Sequence, residues 1–477
     1  MQINPYIFRN YDIRGKVPED LDKAKVRSLG QSYGTFLQKR GIPQAIVGYD
    51  CRLSGPEFSQ AYIDGLTLTG INVIDIGEVM TQMVYCAQYY LQSKGATMIT
   101  ASHLPSNYNG FKMATDFSET TLPNDVQEIK SAIEKDEFFS PETRGKIIKE
   151  NINEKYAADL LKRVSINKKF KVVADFRHGT PALFTADILR AAGCEVIEKK
   201  NNVDGNFPAG TPDPTDEKFM RALGEEVLKE KADLGFAFDA DGDRLGLVDE
   251  KGHILWNDIL VAIFAQEVLE KNPGAKIVYN TLCSQVVKWV IEKNSGVPII
   301  WLTGHAFIKD KITREAAIFG GELSGHFFFK EGYYGHDDGV YAALRLMQYL
   351  AEKNKSLSEI YESFPRYISS PEIKIGCPDE KKKAIVKNLA IKFKNDFPEG
   401  QVTDENIIPG DDGARIDLED GMIIFRYSQN GPYITVRFEA QDEKVYNERK
   451  KYVRETLESY PEMIWQDELC VNLDSLK

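Results

Sequence analysis

Residues 96–112 read Ala-Thr-Met-Ile-Thr-Ala-Ser-His-Leu-Pro-Ser-Asn-Tyr-Asn-Gly-Phe-Lys, an apolar run that leads directly into a polar loop. The apolar run predicts a buried strand that ends just before Ser102. Because ligand sites in open α/β sheets gather beyond the carboxyl ends of the strands, a serine in this position is a candidate nucleophile. An Asn-rich surface turn is the alternative interpretation of the same residues.

The flanking sequence alternates between strand and helix patterns, and the alternation occurs three times along the chain. The predicted strands lie near residues 45–49, 73–76 and 96–100, then 171–175, 194–197 and 234–238, then 276–279 and 297–302. Apolar residues at helical spacing fill the gaps, so we expect mixed, mainly parallel sheets covered by helices. From about Ile368 one helix is followed by closely spaced strands, which predicts an antiparallel α+β domain with its own core.

The bulk composition limits the class of protein. A chain of 477 residues is too long for one hydrophobic core and predicts roughly three to four domains. The net charge of −12 argues against a nucleic-acid partner, because binding to a phosphate backbone needs a basic surface. No apolar stretch has the length of a membrane span or the form of a signal peptide, so we expect a cytoplasmic protein without a membrane partner. The six cysteines lack metal-ligand spacing and are expected to be reduced thiols.

A second polar loop, residues 239–244, follows the strand near 234–238 and reads Asp-Ala-Asp-Gly-Asp-Arg. Asp239, Asp241 and Asp243 would repel one another unless a cation lay between them, and oxygen ligands suit hard cations such as Mg²⁺ or Ca²⁺. An EF-hand is excluded because arginine replaces glycine at its sixth position and strands flank the loop. A solvated acidic turn is the alternative, and the buried strand that leads into the loop favours a metal site.

A divalent metal together with a reactive serine suggests phosphoryl transfer, which depends on positioning and charge neutralisation. Cationic side chains must then hold the phosphates, and the candidates are Arg14, Lys112, Arg244 and Arg426, each on a glycine-containing loop. Taken alone, each of these side chains is more typical of a charge on the protein surface. The loop 426–431 also offers Ser428 and backbone N–H groups for a phosphate distant from the one transferred.

Residues 321–326 read Gly-Glu-Leu-Ser-Gly-His and offer a carboxylate, a hydroxyl and an imidazole between glycines. A carboxylate that accepts two neighbouring hydroxyl groups is suited to binding a sugar, and a satisfied polar turn is the alternative. His103, His305 and His326 are the histidines on such loops. The others, His178, His253 and His336, are interpreted as structural, although His178 follows a strand and can border a cleft.

The motifs together resemble the α-D-phosphohexomutase family, in particular its bacterial phosphomannomutase/phosphoglucomutase branch. They occur in the family's order along the whole chain: Tyr-Asp-Ile-Arg-Gly at 11–15, Thr-Ala-Ser-His at 100–103, Asp-Ala-Asp-Gly-Asp-Arg at 239–244, Gly-Glu-Leu-Ser-Gly-His at 321–326 and Arg-Tyr-Ser at 426–428. One such motif is modest evidence, whereas five in order are specific.

The resemblance implies three consecutive α/β domains and a C-terminal α+β domain around a central cleft. We expect domain I at 1–150 to carry the phosphoserine loop, domain II at 151–255 the metal loop, domain III at 256–367 the sugar loop, and domain IV at 368–477 the phosphate loop. It implies an isomerase that interconverts hexose 1-phosphate and hexose 6-phosphate through a phosphoserine enzyme and a hexose 1,6-bisphosphate, which also serves as activator.

The resemblance also implies the role of each residue. Mg²⁺ would be held by the phosphate of Ser102 together with Asp239, Asp241 and Asp243. The catalytic set would be Ser102, His103, Lys112, Arg244 and His326. Sugar hydroxyls would be bound by Glu322 and Ser324, and phosphate by Arg14, His305, Arg426, Ser428, Gln429 and Asn430.

Two departures from the family pattern keep other functions open. Leu104 stands where the family has Asn, and Leu282 stands where many phosphomannomutases carry a basic residue, so a non-catalytic sugar-phosphate binding homologue is one alternative. Phosphoglucosamine mutase is another, because Leu323 does not exclude it. A serine hydrolase or phosphatase using Ser102 and His103 is disfavoured, because the chain lacks a G-x-S-x-G turn there and adjacent residues rarely pair as nucleophile and base. The preferred hexose, the phosphorylation of Ser102 and the choice of monomer or homodimer stay open.

Overall fold

The alternation of strands and helices predicted from the sequence is present in the computed structural model, which describes residues 3–429 and 431–477. The α-helices of the described residues are α1 (Lys23–Lys39), α2 (Gly55–Leu68), α3 (Thr81–Leu91), α4 (Pro123–Lys135), α5 (Asn153–Arg163), α6 (Thr185–Ala191), α7 (Glu217–Glu230), α8 (Asn257–Lys271), α9 (Gln285–Lys293), α10 (His305–Glu315), α11 (Gly339–Lys353), α12 (Leu357–Tyr361), α13 (Asp379–Asp396) and α14 (Glu443–Glu458).

The strands are β1 (Ile13–Lys16), β2 (Gln44–Tyr49), β3 (Asn72–Glu78), β4 (Gly95–Ile99), β5 (Tyr108–Asp116), β6 (Glu119–Thr120), β7 (Ile147–Lys149), β8 (Lys171–Asp175), β9 (Glu195–Lys199), β10 (Leu234–Phe238), β11 (Leu245–Val248), β12 (Ile254–Leu255), β13 (Lys276–Asn280), β14 (Val297–Trp301), β15 (Phe319–Gly321), β16 (Phe327–Phe329), β17 (Ile368–Ser369), β18 (Ile373–Gly376), β19 (Gln401–Thr403), β20 (Gly413–Leu418), β21 (Gly421–Tyr427) and β22 (Tyr433–Ala440).

The chain forms two units that are discontinuous in sequence. The first unit holds the residues up to Asp213 together with Phe236–Leu245 and Gly332–Gln348. The second unit holds Pro214–Gly235, Gly246–Glu331 and the residues from Tyr349 onward. Each unit is described by itself below.

A seven-stranded sheet in the order β1-β5-β4-β2-β3-β7, with β6 on β5, forms the centre of the first unit. Strands β4, β2, β3 and β7 run parallel, whereas β5 is antiparallel to both β4 and β1. The sheet is therefore mixed, as expected. Strands β5 and β7 were not among those predicted from the sequence.

Helices α1 and α2 cover this sheet, and two glycines allow their close approach. A Cβ atom on Gly30 would lie 2.3 Å from the carbonyl oxygen of Tyr62, and one on Gly65 would lie 2.1 Å from that of Arg27. The start of α1 is fixed by Asp22, whose side chain accepts hydrogen bonds from the backbone of Ala24 and Lys25. The resulting core of aliphatic and aromatic side chains holds β4 firmly and fixes the position of the loop that follows it.

The second unit contains two further sheets. Strands β14, β13 and β15 run parallel and β16 closes the order β14-β13-β15-β16 as an antiparallel edge. The C-terminal sheet, in the order β17-β22-β21-β20-β19 with β18 on β22, is antiparallel throughout. The C-terminal α+β prediction is thus confirmed.

Two buried arginines join these two sheets within the second unit. Arg415 on β20 donates hydrogen bonds to the carbonyl oxygens of Thr281 and Cys283, each at 2.6 Å. Arg437 on β22 donates to the carbonyl oxygen of Leu282 at 2.8 Å and forms an ion pair with Asp258 at 2.5 Å. The segment after β13 is therefore held through its backbone.

All six cysteines lie in the described part of the chain and are free thiols, in agreement with the expectation of reduced cysteines. Within the same residues, no helix combines the length and the apolar character that crossing a bilayer requires.

Candidate active site

Ser102 follows β4 and lies against the acidic loop of the same unit. Its hydroxyl group donates a hydrogen bond to Asp239 Oδ2 at 2.7 Å, and its side chain is buried. His103 Nδ1 lies 3.2 Å from the same Ser102 Oγ. The two adjacent side chains thus face each other, an arrangement that we expected to be rare, and Ser102 has a left-handed backbone with φ of +51°.

The acidic loop connects β10 to β11 and is held by its own backbone and by α3. Asp239 Oδ1 accepts hydrogen bonds from the N–H groups of Gly242 and Arg244 at 3.1 and 3.2 Å. Thr81, at the start of α3, donates to Asp241 Oδ2 at 2.6 Å. These contacts fix Asp239 and Asp241, and one oxygen of each of the three aspartates lies within 4.8 Å of the others.

This donor set fits a hard divalent cation. Carboxylate oxygens are the preferred ligands of Mg²⁺ and Ca²⁺. Asp241 Oδ1 is buried and accepts no hydrogen bond from residues 3–429 or 431–477, so it has a coordination position that these residues do not use. A phosphate on Ser102 would place further oxygens beside Asp239, because the two side chains are already in hydrogen-bond contact.

Lys112 on β5 provides the positive charge next to this cluster. Its ammonium group donates to Asp241 Oδ2 at 2.7 Å and to Asp243 Oδ2 at 2.5 Å. The antiparallel register pairs Lys112 with Met98 of β4, so the unpredicted strand β5 is the element that brings Lys112 to the site.

The carboxylates respond differently to their surroundings. Burial raises the pKa of Asp239 well above its usual range, and the neighbouring charges of Asp241 and Asp243 raise it further. Burial also raises the pKa of Asp241, but the charge and hydrogen bond of Lys112, together with further hydrogen bonds such as that from Thr81, outweigh burial and the net shift is downward. The site therefore concentrates negative charge and offsets it with a lysine.

Two arginines of the first unit lie at the same site. Arg14 on β1 donates to Asp12 Oδ2 at 2.8 Å and to the carbonyl oxygen of Ala101 at 3.3 Å, next to Ser102. Arg244 Nε lies 3.6 Å from Asp239 Oδ2. The structure thus brings together the residues predicted from three separate motifs, at 11–15, 100–103 and 239–244.

In the second unit, the predicted sugar loop lies against the N-terminus of α10. Glu322 Oε1 accepts a hydrogen bond from the N–H group of Gly304 at 2.6 Å, and the rings of His305 and His326 are 5.9 Å apart. Asn280 Oδ1 accepts the N–H group of Leu323 at 3.1 Å and fixes the loop to β13. Ser324 is half-buried. The expected carboxylate, hydroxyl and imidazoles therefore lie on two adjacent loops.

The predicted phosphate loop lies at the end of β21, and two residues outside it that were not predicted, Asp412 and Lys382, hold it in place. Arg426 forms a bidentate ion pair with Asp412, both contacts at 2.6 Å, and Gln429 donates to the same carboxylate at 2.8 Å. The ammonium group of Lys382 donates to the carbonyl oxygens of Ser428 and Gly431 at 2.6 and 2.9 Å. Asn430, also predicted for this loop, lies outside the described residues.

A signal in the sequence could have indicated Asp412 but not Lys382. Asp412 stands in the Asp-Asp-Gly turn just before β20, and β20 pairs with β21 so that Gly413 lies opposite Arg426. Lys382 is one of three consecutive lysines on α13, and the sequence does not indicate which of them faces the loop.

A buried serine next to a carboxylate cluster and a lysine, at the carboxyl end of a strand, is an arrangement suited to phosphoryl transfer. Family models match almost the entire chain. They are phosphoglucomutase/phosphomannomutase alpha/beta/alpha domain I at residues 5–140, domain II at 154–252, domain III at 256–367 and the C-terminal domain at 372–456.

Individual relatives agree with these matches. The phosphomannomutase/phosphoglucomutase of Pseudomonas aeruginosa PAO1 is 37% identical over 453 residues, which cover 95% of this chain and 96% of that protein. A phosphoglucomutase of Neisseria gonorrhoeae is 34% identical over 460 residues, covering 96% and 98%. The crystal structure of a phosphoglucomutase/phosphomannomutase family protein from Burkholderia thailandensis superposes with a TM-score of 0.85 at 32% identity, covering 96% and 98%.

The chain belongs to the phosphoglucomutase/phosphomannomutase family of enzymes, with three α/β domains and a C-terminal domain.

Proposed function

We propose that this protein is a Mg²⁺-dependent phosphohexomutase that interconverts the 1-phosphate and 6-phosphate of mannose, glucose or both. The contact of Ser102 Oγ with Asp239 Oδ2 at 2.7 Å, in a cluster of three aspartates, is the observation that carries the proposal. It puts a candidate phosphate carrier next to a candidate metal site.

Ser102 would carry the phosphate between substrate and product. Asp239, Asp241 and Asp243 would hold Mg²⁺, which when bound offsets the negative charge on the phosphoryl oxygens during transfer. Lys112, with its ammonium group against two of these aspartates, supplies a second positive charge for the phosphate. His103 Nδ1, 3.2 Å from Ser102 Oγ, is placed to exchange a proton with it.

Arg14, Arg244, His305 and His326 would assist phosphate binding or proton transfer. The remaining residues would bind the substrate in both of its orientations. In each orientation one phosphate reacts at Ser102 while the other must be held elsewhere, which is the role we assign to the phosphate loop with Arg426, Ser428, Gln429 and Asn430. Glu322 and Ser324 would bind the sugar hydroxyls in both orientations. Transfer from Ser102 gives a hexose 1,6-bisphosphate. When this intermediate turns around, its other phosphate can return to Ser102.

We propose the domain divisions 1–150, 151–255, 256–367 and 368–477 for these four loops.

The departure at Leu104 is compatible with this mechanism. The Leu104 side chain is buried, and its carbonyl oxygen accepts a hydrogen bond from Arg52 at 2.7 Å. The loop is thus held through its backbone, and this contact is independent of the side chain at position 104. Leu282 is buried and held in the same way, through its carbonyl oxygen, by Arg437.

A coupled mutase assay tests the proposal. The purified chain is given the 1-phosphates of mannose, glucose and glucosamine, with Mg²⁺ and a catalytic amount of the matching 1,6-bisphosphate. We expect turnover of mannose or glucose 1-phosphate, and intact mass should show one phosphate that exchanges with added hexose phosphate. Turnover of the glucosamine compound alone would identify a phosphoglucosamine mutase, and binding without exchange would indicate a non-catalytic homologue.

Two serines of one loop provide the matched variants. Ser102→Ala removes the proposed carrier, so we expect loss of turnover and of the phosphate while substrate binding persists. Ser106→Ala changes an exposed serine four residues away and should leave the rate unchanged. A Ser102→Ala variant with the normal mutase rate would exclude Ser102 as the carrier, and steady release of inorganic phosphate without isomerisation would point to a phosphatase.

A further inference from the structure

Arg52, which no motif of the sequence analysis included, lies beneath the loop that carries Ser102. It follows β2, and its side chain is completely buried. Its guanidinium group donates to four backbone carbonyl oxygens of that loop: Ser102 at 2.6 Å, Leu104 at 2.7 Å, Pro105 at 2.6 Å and Tyr108 at 2.9 Å.

The shape of the guanidinium group explains why an arginine occupies this position. Buried carbonyl groups of an irregular loop have no strand or helix partners and must find other donors. A planar group with five N–H donors in a fixed geometry can satisfy several at once, whereas an ammonium group has three donors without a fixed plane. Arg52 therefore holds residues 102–108 as one body.

A second path, made of hydrogen bonds through Thr100 and Asp50, connects the backbone N–H group of Ser102 to the same arginine. Asp50 accepts hydrogen bonds from Arg52 Nε at 3.2 Å and from the hydroxyl group of Thr100 at 2.6 Å. The same Thr100 hydroxyl oxygen accepts the N–H group of Ser102 at 2.8 Å. The N–H group and the carbonyl group of Ser102 are thus both fixed by the Asp50–Arg52 pair.

Ser102 needs such support because of its backbone conformation. Its φ of +51° lies in the left-handed region, which side chains with a Cβ atom disfavour and which persists where the surroundings impose it. In this conformation Oγ donates its hydrogen bond to Asp239, 137 residues away in sequence. A small relaxation of the loop would move Oγ away from the carboxylate.

We propose that Arg52 is a positioning residue for phosphoryl transfer, which sets the location of Ser102 Oγ without touching the substrate. This inference rests on the proposed function, because it assumes that Ser102 carries the phosphate. Since Arg52 holds the loop through backbone carbonyl groups, it also explains how the loop retains its shape with leucine at position 104.

Arg52→Lys tests the inference in the full chain, because it keeps the charge and loses the planar set of donors. We expect kcat to fall about 100-fold, the scale associated with a misplacement of about 1 Å. KM for glucose 1-phosphate, or mannose 1-phosphate if that is the better substrate, should change less than about threefold. Intact mass should show slower phosphorylation of Ser102 by the 1,6-bisphosphate. Thr100→Val, which removes the second path, should give the same pattern of lower kcat with unchanged KM.

Leu66→Ala is the matched control for lost stability. Leu66 is buried in α2 of the same unit, and its aliphatic side chain belongs to the hydrophobic core that covers the sheet. We expect this variant to unfold more easily and yet to retain kcat within about twofold when compared at an equal folded fraction.

The outcomes distinguish a failure of the positioning role of Arg52 from a failure of the proposed function. Wild-type kcat and phosphorylation rate in Arg52→Lys, or a rise in KM at constant kcat, would overturn the positioning role while leaving the proposed function intact. If Arg52→Lys does not fold, Thr100→Val decides, and its normal kcat would overturn the inference. If instead Ser102→Ala retains the mutase rate, the proposed function itself fails.

Discussion

The substitution Lys112→Met tests how the acidic cluster is neutralised. The Lys112 side chain is 2% exposed, and its ammonium group contacts Asp241 and Asp243, which are buried as completely. Methionine keeps most of the length and removes the charge, so two carboxylates lose their shared cation. Breaking a buried ion pair in this way costs about 3–5 kcal/mol, and we expect a loss of stability of that size in a buffer containing EDTA.

Magnesium should reverse much of that loss. A ligand at one hundred times its dissociation constant stabilises the folded state by about 2.7 kcal/mol. The variant should also bind Mg²⁺ more tightly than the wild type, because no ammonium group competes for Asp241 Oδ2 and Asp243 Oδ2. In excess Mg²⁺ the deficit relative to the wild type should therefore shrink by about 1.4 kcal/mol for each tenfold gain in the variant's affinity for the metal.

Urea unfolding of both proteins, with EDTA and with excess Mg²⁺, measures this difference. Lys94→Met is the control, because Lys94 pairs with Asp116 at 2.8 Å on the surface, where the side chains are 51% and 45% exposed. Such an exposed pair contributes about 0–1 kcal/mol and should not respond to Mg²⁺. An equal loss for Lys112→Met in the two buffers would refute both the metal assignment and the role of Lys112 as its substitute.

Three further predictions concern other parts of the chain. Burial, together with the charge of Asp412, raises the pKa of Asp411 to about 7. In the unfolded chain the pKa of an aspartate is about 3.9, so between these two values the folded state binds a proton that the unfolded state has released. Stability should fall as the pH rises from about 4 to 7, and Asp411→Asn should remove this dependence and exceed the wild type at pH 8 by about 2–4 kcal/mol in urea unfolding; parallel pH profiles would contradict this. Arg426→Lys loses the bidentate geometry for phosphate, and kcat/KM in the mutase assay should fall about 10–100-fold, from the 1.5–3 kcal/mol of a charged hydrogen bond; an unchanged value would exclude Arg426 as the phosphate ligand. Gly339→Ala would place a Cβ atom 2.6 Å from the carbonyl oxygen of Arg244 and 2.8 Å from that of Gly242. Stability should therefore fall by about 1–3 kcal/mol, and calorimetry should show weaker Mg²⁺ binding. Normal Mg²⁺ affinity would show that the acidic loop tolerates the shift.

Strong local patterns allowed much of the fold to be predicted from the sequence. The strand predicted at 171–175 agrees with β8 and the one at 234–238 with β10, because uninterrupted apolar residues mark buried parallel strands. The antiparallel strand β5 was missed because its polar start, with Asn and Gly, resembles a turn, and its pairing with β4 depends on contacts distant in sequence.

The residues of the candidate site also divide into those that the sequence indicated and those that it did not. Residues within glycine-containing motifs, such as Ser102 and Asp239, stand out because their chemistry is concentrated in a few positions. Arg52, Lys382 and Asp412 act on backbone groups or on another side chain, and such partners are chosen by the tertiary structure. One sequence contains no local signal for them, apart from the Asp-Asp-Gly turn that holds Asp412.

The discontinuous first unit has a consequence for how the protein matures during synthesis. The strand before Ser102 emerges early, but Asp239 is made 137 residues later, a delay of roughly 7–27 s at about 5–20 residues per second. The unit includes residues as far as Gln348, so its last segment arrives later still. The nascent chain thus contains Ser102 before its acidic partner exists, and if Ser102 carries the phosphate as we propose, it can be loaded only after much of the polypeptide has been made.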